Sequence, residues 1–144
     1  MLKEEWMVGF ITTWIVGLLA HAYRFFNFLP IWDSIYNFTG VGSTYTLGRW
    51  FLGYAGLITS MFDLPWVNGA FSLFYISIVV ILLTEMFEIK NKGMIVLCAA
   101  IFVSFPTVVS SFAYMYTADA YLLAFLLATL AVYLTWCVKK WGTI

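Results

Sequence analysis

The chain has 144 residues, of which 64% are hydrophobic and 10% are charged, and its mean hydropathy is +0.96. A soluble domain carries roughly 25% charged residues, so this composition excludes an ordinary water-soluble fold and predicts an integral membrane protein. The formal net charge is zero, so the charge balance gives no reason to expect a nucleic-acid partner.

Four apolar stretches predict transmembrane helices, because each is close to the roughly 20 residues that a bilayer crossing needs. They cover about residues 6–23, 67–87, 94–114 and 118–138, within a single transmembrane domain, 1–144. The predicted fold class is therefore all-α, a polytopic membrane helix bundle. Within the third stretch, Pro106 predicts a kink near Phe105, since proline removes a helical hydrogen bond.

Two of these helices carry small residues at every fourth position. The residues are Gly9, Thr13 and Gly17 in the first helix and Ala120, Ala124 and Ala128 in the fourth. Stripes of this kind let helix backbones approach closely in lipid. They predict that both helices pack closely against neighbours in a bundle.

The segment 24–66 between the first two spans is predicted to be an external loop that contains an amphipathic helix. From residue 46 to residue 62 the apolar positions follow i, i+3, i+4, i+7 spacing, which indicates a helix with one apolar face. The segment is short for a span and Arg49 lies near its start. An interfacial helix in the outer leaflet therefore fits this pattern.

The lysines indicate the orientation of the chain. They lie before the first span, between the second and third, and after the fourth, at Lys3, Lys90, Lys92, Lys139 and Lys140. Four spans place these positions on one side, which the positive-inside rule makes cytoplasmic. The prediction is a multi-pass protein of the bacterial cytoplasmic membrane, N-in and C-in. A signal-peptide site at Ala20–Ala22 also fits the sequence, although Glu4 and Glu5 weaken the required positive start.

The candidate residues for chemistry lie on the predicted outer side. They are His21, Arg24, Asp33, Asn37, Tyr45, Arg49 and Asp119. Asp33 fits a general base that acts on a hydroxyl acceptor, and it also fits an acid in the first turn of a helix. The planar guanidinium groups of Arg24 and Arg49 suit bidentate phosphate binding; the alternative is that they are interfacial anchors.

Asp119 and His21 each leave two interpretations open. Asp119 follows Thr117 closely, so it is either a second functional carboxylate or a first-turn acid beside a Thr117 cap. His21 either contacts a substrate or is a satisfied interfacial group. Cys98 and Cys137 are interpreted as packing residues, because no CxxC or metal-ligand spacing is present. No cofactor and no metal are predicted.

Three segments, HAYRFFNFLPIWDSIYN, GRWFLG and LPWVNGAFSLFYISIVVILL, resemble the N-terminal part of the bacterial glucosyltransferase family of the O-antigen-modifying type II kind, whose members are GT-C-like. The similarity runs from about Leu19 into the fourth span. It implies transfer of glucose from a polyprenyl-phosphate-linked donor to a cell-envelope polysaccharide, outside the cytoplasmic membrane.

The resemblance also implies roles for single residues. By position, Asp33 corresponds to the essential acid of the first external loop, and Asp119 to a further acid in the second. Arg24 and Arg49 would lie near the donor phosphate. Asn37, Tyr45 and His21 complete the predicted substrate-binding set.

Members of that family have more spans than four, so we expect this chain to be part of a larger enzyme, completed by further C-terminal spans or by another membrane subunit. The alternative is a non-enzymatic four-helix membrane scaffold or a small transporter subunit. Proton-coupled transport needs an acidic residue at mid-depth in a span, and none is present there. A scaffold would leave the external arginines and aspartates unexplained.

Overall fold

The structure is a computed structural model that describes residues 3–32, 48–55 and 64–142. These residues are helical with short connections and contain no strand, which confirms the predicted all-α fold. The helices are α1 (Glu4–Phe26), α2 (Trp50–Ala55), α3 (Pro65–Met86), α4 (Lys92–Val103), α5 (Pro106–Ser111) and α6 (Met115–Gly142), with a 3₁₀ turn at Phe112–Tyr114.

Three helical stretches of the described residues are long and apolar enough to cross a membrane: Glu4–Phe26, Pro65–Met86 and Lys92–Lys139. The predicted third and fourth spans both fall in the last of these. The segment 104–114 divides that stretch, so the chain passes along the bundle twice within it.

The predicted third span is not one continuous helix. α4 ends at Val103, and Pro106 occupies the first turn of α5 after the extended residue Phe105. At 1.5 Å per residue the 12 residues of α4 rise about 18 Å, less than the roughly 30 Å of a hydrocarbon core. The expected kink at Phe105 is therefore a full break, because the proline ring prevents the helix from continuing.

α1 and α4 run side by side in the same direction. Lys92, at the start of α4, bonds to Glu4, at the start of α1, with 2.6 Å between Nζ and Oε2. At the other end, the Val103 carbonyl is 3.0 Å from Nε2 of His21. We call the first of these ends, where Lys3, Glu4, Glu85 and Lys92 meet, the lysine end.

α6 runs parallel to α3 and opposite to α4. Asn68, in the first turn of α3, donates to the carbonyl of Met115, the first residue of α6, at 2.9 Å. Trp136, late in α6, lines one cavity together with Thr84 at the end of α3. We call the end formed by Arg24, Asn68 and the segment 112–115 the arginine end.

The small-residue stripe of α1 packs against α3 and α4. The buried residues of α1 fall at every fourth position: Gly9, Thr13, Gly17, His21 and Phe25. A methyl group at Gly17 would overlap the Leu73 side chain and lie 3.2 Å from Val103. The predicted close packing of this helix is therefore confirmed.

The prediction for the second stripe is wrong in two of its three positions. Ala120 is buried, but Ala124 and Ala128 are exposed. α6 packs mainly against α3, and its buried face instead includes Ala118 and Leu122. A helix with one main neighbour buries one face, and two members of the alanine stripe lie outside that face.

Candidate functional site

The arginine end is built around the break in the third pass. Residues at the ends of short helices leave backbone carbonyls without helical partners. Arg24 of α1 bonds to two of the carbonyls in this region: Nε donates to Phe112 O at 3.0 Å and Nη2 to Ala113 O at 2.7 Å. A fork of this kind fixes the plane of the guanidinium group as well as the position of the turn.

His21 lies one turn before Arg24 and is only 6% exposed. Its Nε2 is 3.0 Å from the Val103 carbonyl, which can only accept, so Nε2 carries the proton. The ring centroid lies 4.6 Å from that of Phe112 and 5.9 Å from that of Phe25. The structure therefore places His21 where it holds the end of α4 against α1, and its predicted substrate contact stays a prediction.

A small crevice lies beside Arg24. It has a volume of about 10 Å³, and its walls come from Arg24, residues 27–30, Pro65, Ala113, Met115 and Tyr116. This volume accommodates about one water molecule. The crevice is therefore closed to a sugar phosphate in this conformation, and the segment 27–30 forms part of its cover.

Asp119 is 3% exposed and lies four residues after Met115 in α6. Because α6 begins at Met115, no acidic residue occupies its first turn. Thr117 Oγ1 donates to Tyr114 O at 3.4 Å and does not act as a cap. The alternative interpretation, a first-turn acid beside a Thr117 cap, is therefore wrong.

Two buried polar residues that the sequence analysis did not single out lie on α3, one level with Asp119 and one a turn away. Asn68 and Ser72 are both 0% exposed, and they are one turn apart on α3. Because Asn68 pairs with Met115 and the two helices run in parallel, Ser72 lies level with Asp119. Neither Asn68 Oδ1 nor Ser72 Oγ has a hydrogen-bond partner in the described structure.

Such groups are costly, since a buried polar atom without a partner costs roughly 1–3 kcal/mol in protein mutational data. In membrane bundles, such side chains commonly bond to a neighbouring helix, so a buried one without a partner is a candidate for contact with another molecule. The sequence did contain a signal for Asn68, since an amide side chain in the first turn of an apolar helix is unusual enough to note. Ser72 carried no signal of its own, because a single serine is common in membrane helices.

The remaining predicted residues are less informative. Arg49 is exposed and directly precedes α2, which contacts α6. Asp33, Asn37 and Tyr45 lie outside the described residues, so their predicted roles stay predictions.

The described residues contain no group of three or more histidine, cysteine, aspartate or glutamate side chains that would hold a metal ion. Cys98 and Cys137 are free thiols, both half-buried, on α4 and α6. Their interpretation as packing residues stays a prediction.

Fold and site together define a class: an all-α membrane bundle whose arginine end combines a buried carboxylate, two buried polar groups and an arginine held by backbone carbonyls. The family model described as Glucosyl transferase GtrII matches residues 22–144. The chain belongs to this glucosyltransferase family, as the sequence resemblance predicted. No curated protein matches the chain, and no solved structure matches it.

Proposed function

We propose that this chain transfers glucose from a polyprenyl-phosphate-linked donor to a cell-envelope polysaccharide on the outer face of the cytoplasmic membrane. The observation on which the proposal depends is the family match over residues 22–144. The proposal adds the donor, the acceptor and the side of the membrane, which follow from the resemblance and from the distribution of lysine.

The reaction assigns a clear task to a carboxylate. A hydroxyl oxygen of the acceptor forms a bond to C1 of glucose, and the bond between C1 and the phosphate oxygen breaks, so that polyprenyl phosphate leaves. The hydroxyl proton passes to the general base. Asp33 takes this role in the proposal, and it follows Pro30, a wall of the crevice, by three residues.

Arg24 is the proposed partner of the donor phosphate. Its bonds to Phe112 O and Ala113 O hold the guanidinium group at the crevice wall. Because the crevice is small, donor binding requires the segment 27–30 to move aside. Arg49 is the second phosphate ligand of the proposal.

A lipid-linked donor also needs an apolar path beside its phosphate. A groove of about 520 Å³ lies between the broken third pass and α6, lined by Ile101, Phe102, Phe105, Thr107, Val108, Ser111, Tyr121, Leu122 and Phe125. Its wall at Ser111 directly precedes Phe112, whose carbonyl binds Arg24. The groove therefore leads an isoprenoid chain towards the proposed phosphate position.

Asp119 is the second carboxylate of the proposal, together with Asn68 and Ser72. Since it is 3% exposed, its carboxylate reaches a substrate only when the contact between α3 and α6 opens. We therefore expect Asp119→Asn to lower kcat less than Asp33→Asn does.

The test is a transfer assay in membranes that contain the chain, with polyprenyl-phosphate glucose as donor. We expect Asp33→Asn to lower kcat by about 10²- to 10⁴-fold, the usual contribution of a general base. The matched control is Asp63→Asn, a second aspartate of the same predicted loop, which should keep wild-type activity. Unchanged transfer by Asp33→Asn would remove the central assignment.

The groove has its own test in the same assay. Ser111→Trp would fill the groove and should raise KM for the donor without a matching fall in kcat. Ala131→Trp, an exposed position on α6 outside the groove, serves as control. If no transfer occurs even when the expected further spans are supplied, the scaffold alternative is favoured over the enzyme.

A further inference from the structure

The apolar groove of the proposed donor site adjoins a second cavity, of about 270 Å³, and Ile101 and Phe102 line both. The other walls of this second cavity include Leu83 and Phe87, at the end of α3, and Cys98 of α4. The groove and the second cavity therefore follow one another from the arginine end towards the lysine end.

The packing of the helices explains why this space exists. α3 packs against both α4 and α6, whereas α4 and α6 have hardly any contact with each other in the part of the chain that the structure describes. A cleft is therefore left between α4 and α6. The groove lies in this cleft, and the second cavity continues it between α3 and α4.

One aromatic pair stands between the two cavities. The rings of Phe102, on α4, and Phe125, on α6, are stacked with 5.7 Å between their centroids and 20° between their planes. This separation lies in the range that attractive aromatic pairs prefer. Phe102 lines both cavities and Phe125 lines the groove. The pair thus bridges the cleft and closes the groove on the side of the second cavity.

The distance from the proposed phosphate position to this pair limits what the groove holds. Phe125 lies ten residues after Met115, the first residue of α6, which corresponds to about 15 Å along the helix. An isoprene unit adds four carbon–carbon bonds to its chain, so at about 1.5 Å per bond it extends roughly 5 Å. The groove therefore holds about three units between Arg24 and the aromatic pair.

The width of the groove favours a branched chain over a straight one. A volume of about 520 Å³ over about 15 Å of helix gives a mean cross-section of roughly 35 Å². Carbon atoms in contact are about 3.5–4 Å apart, so an unbranched methylene chain fills less than half of this cross-section. The methyl branches of an isoprenoid fill more of it.

We propose that Phe102 and Phe125 set the depth of the donor site, so that it recognises only about the first three isoprene units after the phosphate. The remainder of the tail leaves sideways into the bilayer. Ile101, Phe105 and Phe125 are 55%, 53% and 41% exposed, so the groove is open along this path. The inference rests on the proposed function, because it takes the isoprenoid donor as the occupant.

The test measures how isoprenyl monophosphates of two to six units bind to the purified chain in nanodiscs, by competition with radiolabelled farnesyl phosphate, the compound of three units. Such phosphates correspond to the leaving group of the proposed reaction, so neither transfer nor an acceptor is needed. For the wild type, we expect affinity to rise about two- to three-fold per unit through added packing contacts, and to stay constant beyond about three units.

The outcomes separate this inference from the proposed function. Affinity that rises steadily to six units would overturn the depth limit and leave the isoprenoid donor in place. If labelled farnesyl phosphate does not bind at all, the donor of the proposed function is wrong, and the depth limit with it. Equal binding of straight-chain alkyl phosphates of matched length would assign the groove to acyl chains and overturn the choice of an isoprenoid.

Variants locate the limit at the aromatic pair. Phe102→Ala joins the two cavities, so affinity should continue to rise through four and five units. Phe125→Ala removes the other ring and should give the same result, which keeps the test valid if one variant fails to fold. Phe74→Ala is the matched control, since Phe74 is 44% exposed on α3, contacts Phe10 and lies outside both cavities. A wild-type limit in both pair variants would overturn the proposal.

Filling the second cavity provides a further check. Cys98 lines this cavity, so Cys98→Phe added to Phe125→Ala should restore the limit of about three units. If affinity still rose with chain length in the double variant, the path through the second cavity would be wrong.

Discussion

The two ends of the bundle are held together by different interactions. At the lysine end, Lys92 and Glu4 form an ion pair whose side chains are 62% and 71% exposed. At the arginine end, His21 and Asn68 are buried and bond to backbone carbonyls of other helices. Exposed ion pairs are screened by salt and add little to stability, whereas a buried polar group that loses its partner is costly.

The difference follows from where the chain interrupts its helices. The break at Phe105 and the 3₁₀ turn interrupt the helical hydrogen bonds, so several backbone carbonyls there have no helical partner. Side chains of α1 and α3 bond to several carbonyls of this region. Polar residues at the arginine end therefore stabilise the fold by bonding to these carbonyls. An experiment on their part in the reaction has to measure stability and activity separately.

The largest effect is expected for His21→Ala. It removes the bond to Val103 O and the ring that packs on Phe112, so the free energy of unfolding should fall by about 2–4 kcal/mol, a lost bond plus a cavity. His21→Phe keeps a ring and should lose about 1 kcal/mol. Thermal unfolding in detergent measures both. Wild-type stability of His21→Ala would show that the arginine end does not depend on this contact.

Arg24→Lys should have the next largest effect. Lysine keeps the charge but lacks the planar fork that reaches Phe112 O and Ala113 O, so we expect a loss of about 1–2 kcal/mol. Arg49→Lys is the control, since Arg49 is exposed and should show an unchanged melting temperature. Equal effects of the two substitutions would contradict the role of the fork.

Ser72→Ala and Ser77→Ala form a matched pair of fully buried serines on α3. Ser77 Oγ donates to Leu73 O at 2.7 Å, so Ser77→Ala should lose up to about 1 kcal/mol. Ser72 Oγ has no partner in the described structure, and Ser72→Ala should be neutral or slightly stabilising. If Ser72 serves the site with Asp119, transfer activity falls in this variant while the melting temperature does not.

Lys92→Gln should have only a small effect, and that effect should depend on salt. Its partner Glu4 is exposed, so we expect a small fall in melting temperature at low salt and none at high salt, where such pairs are screened. Differential scanning fluorimetry at two salt concentrations measures this. A large, salt-independent loss would mean that the lysine end is as tightly coupled as the arginine end.

Local patterns in the sequence predicted much of the fold. Apolar runs indicated the helices, the proline at 106 indicated a kink where the structure has a full break, and the spacing of Gly9, Thr13 and Gly17 indicated the packed face of α1. Continuing that spacing by one turn gives His21, so its burial was also available from the sequence. Each of these features depends on the order of residues within a single helix. The sequence alone is therefore enough to predict them.

The partners of the polar side chains required the tertiary structure. Arg24 bonds to carbonyls 88 and 89 residues away, and no pattern in the sequence indicates which carbonyls a break will leave open. The alanines of α6 show the same limit, since Ala120 is buried while Ala124 and Ala128 are not. Which face of a helix is buried depends on which other helices pack against it, and on which side.

By itself, the sequence determined the membrane class, the helical fold and the glucosyltransferase family. Only the tertiary structure brought Ser72 level with Asp119, one turn away from Asn68. The physical reason is that the relative height and rotation of two helices result from the packing of the whole bundle, to which many weak contacts contribute, whereas a helix and its apolar face result from neighbouring residues.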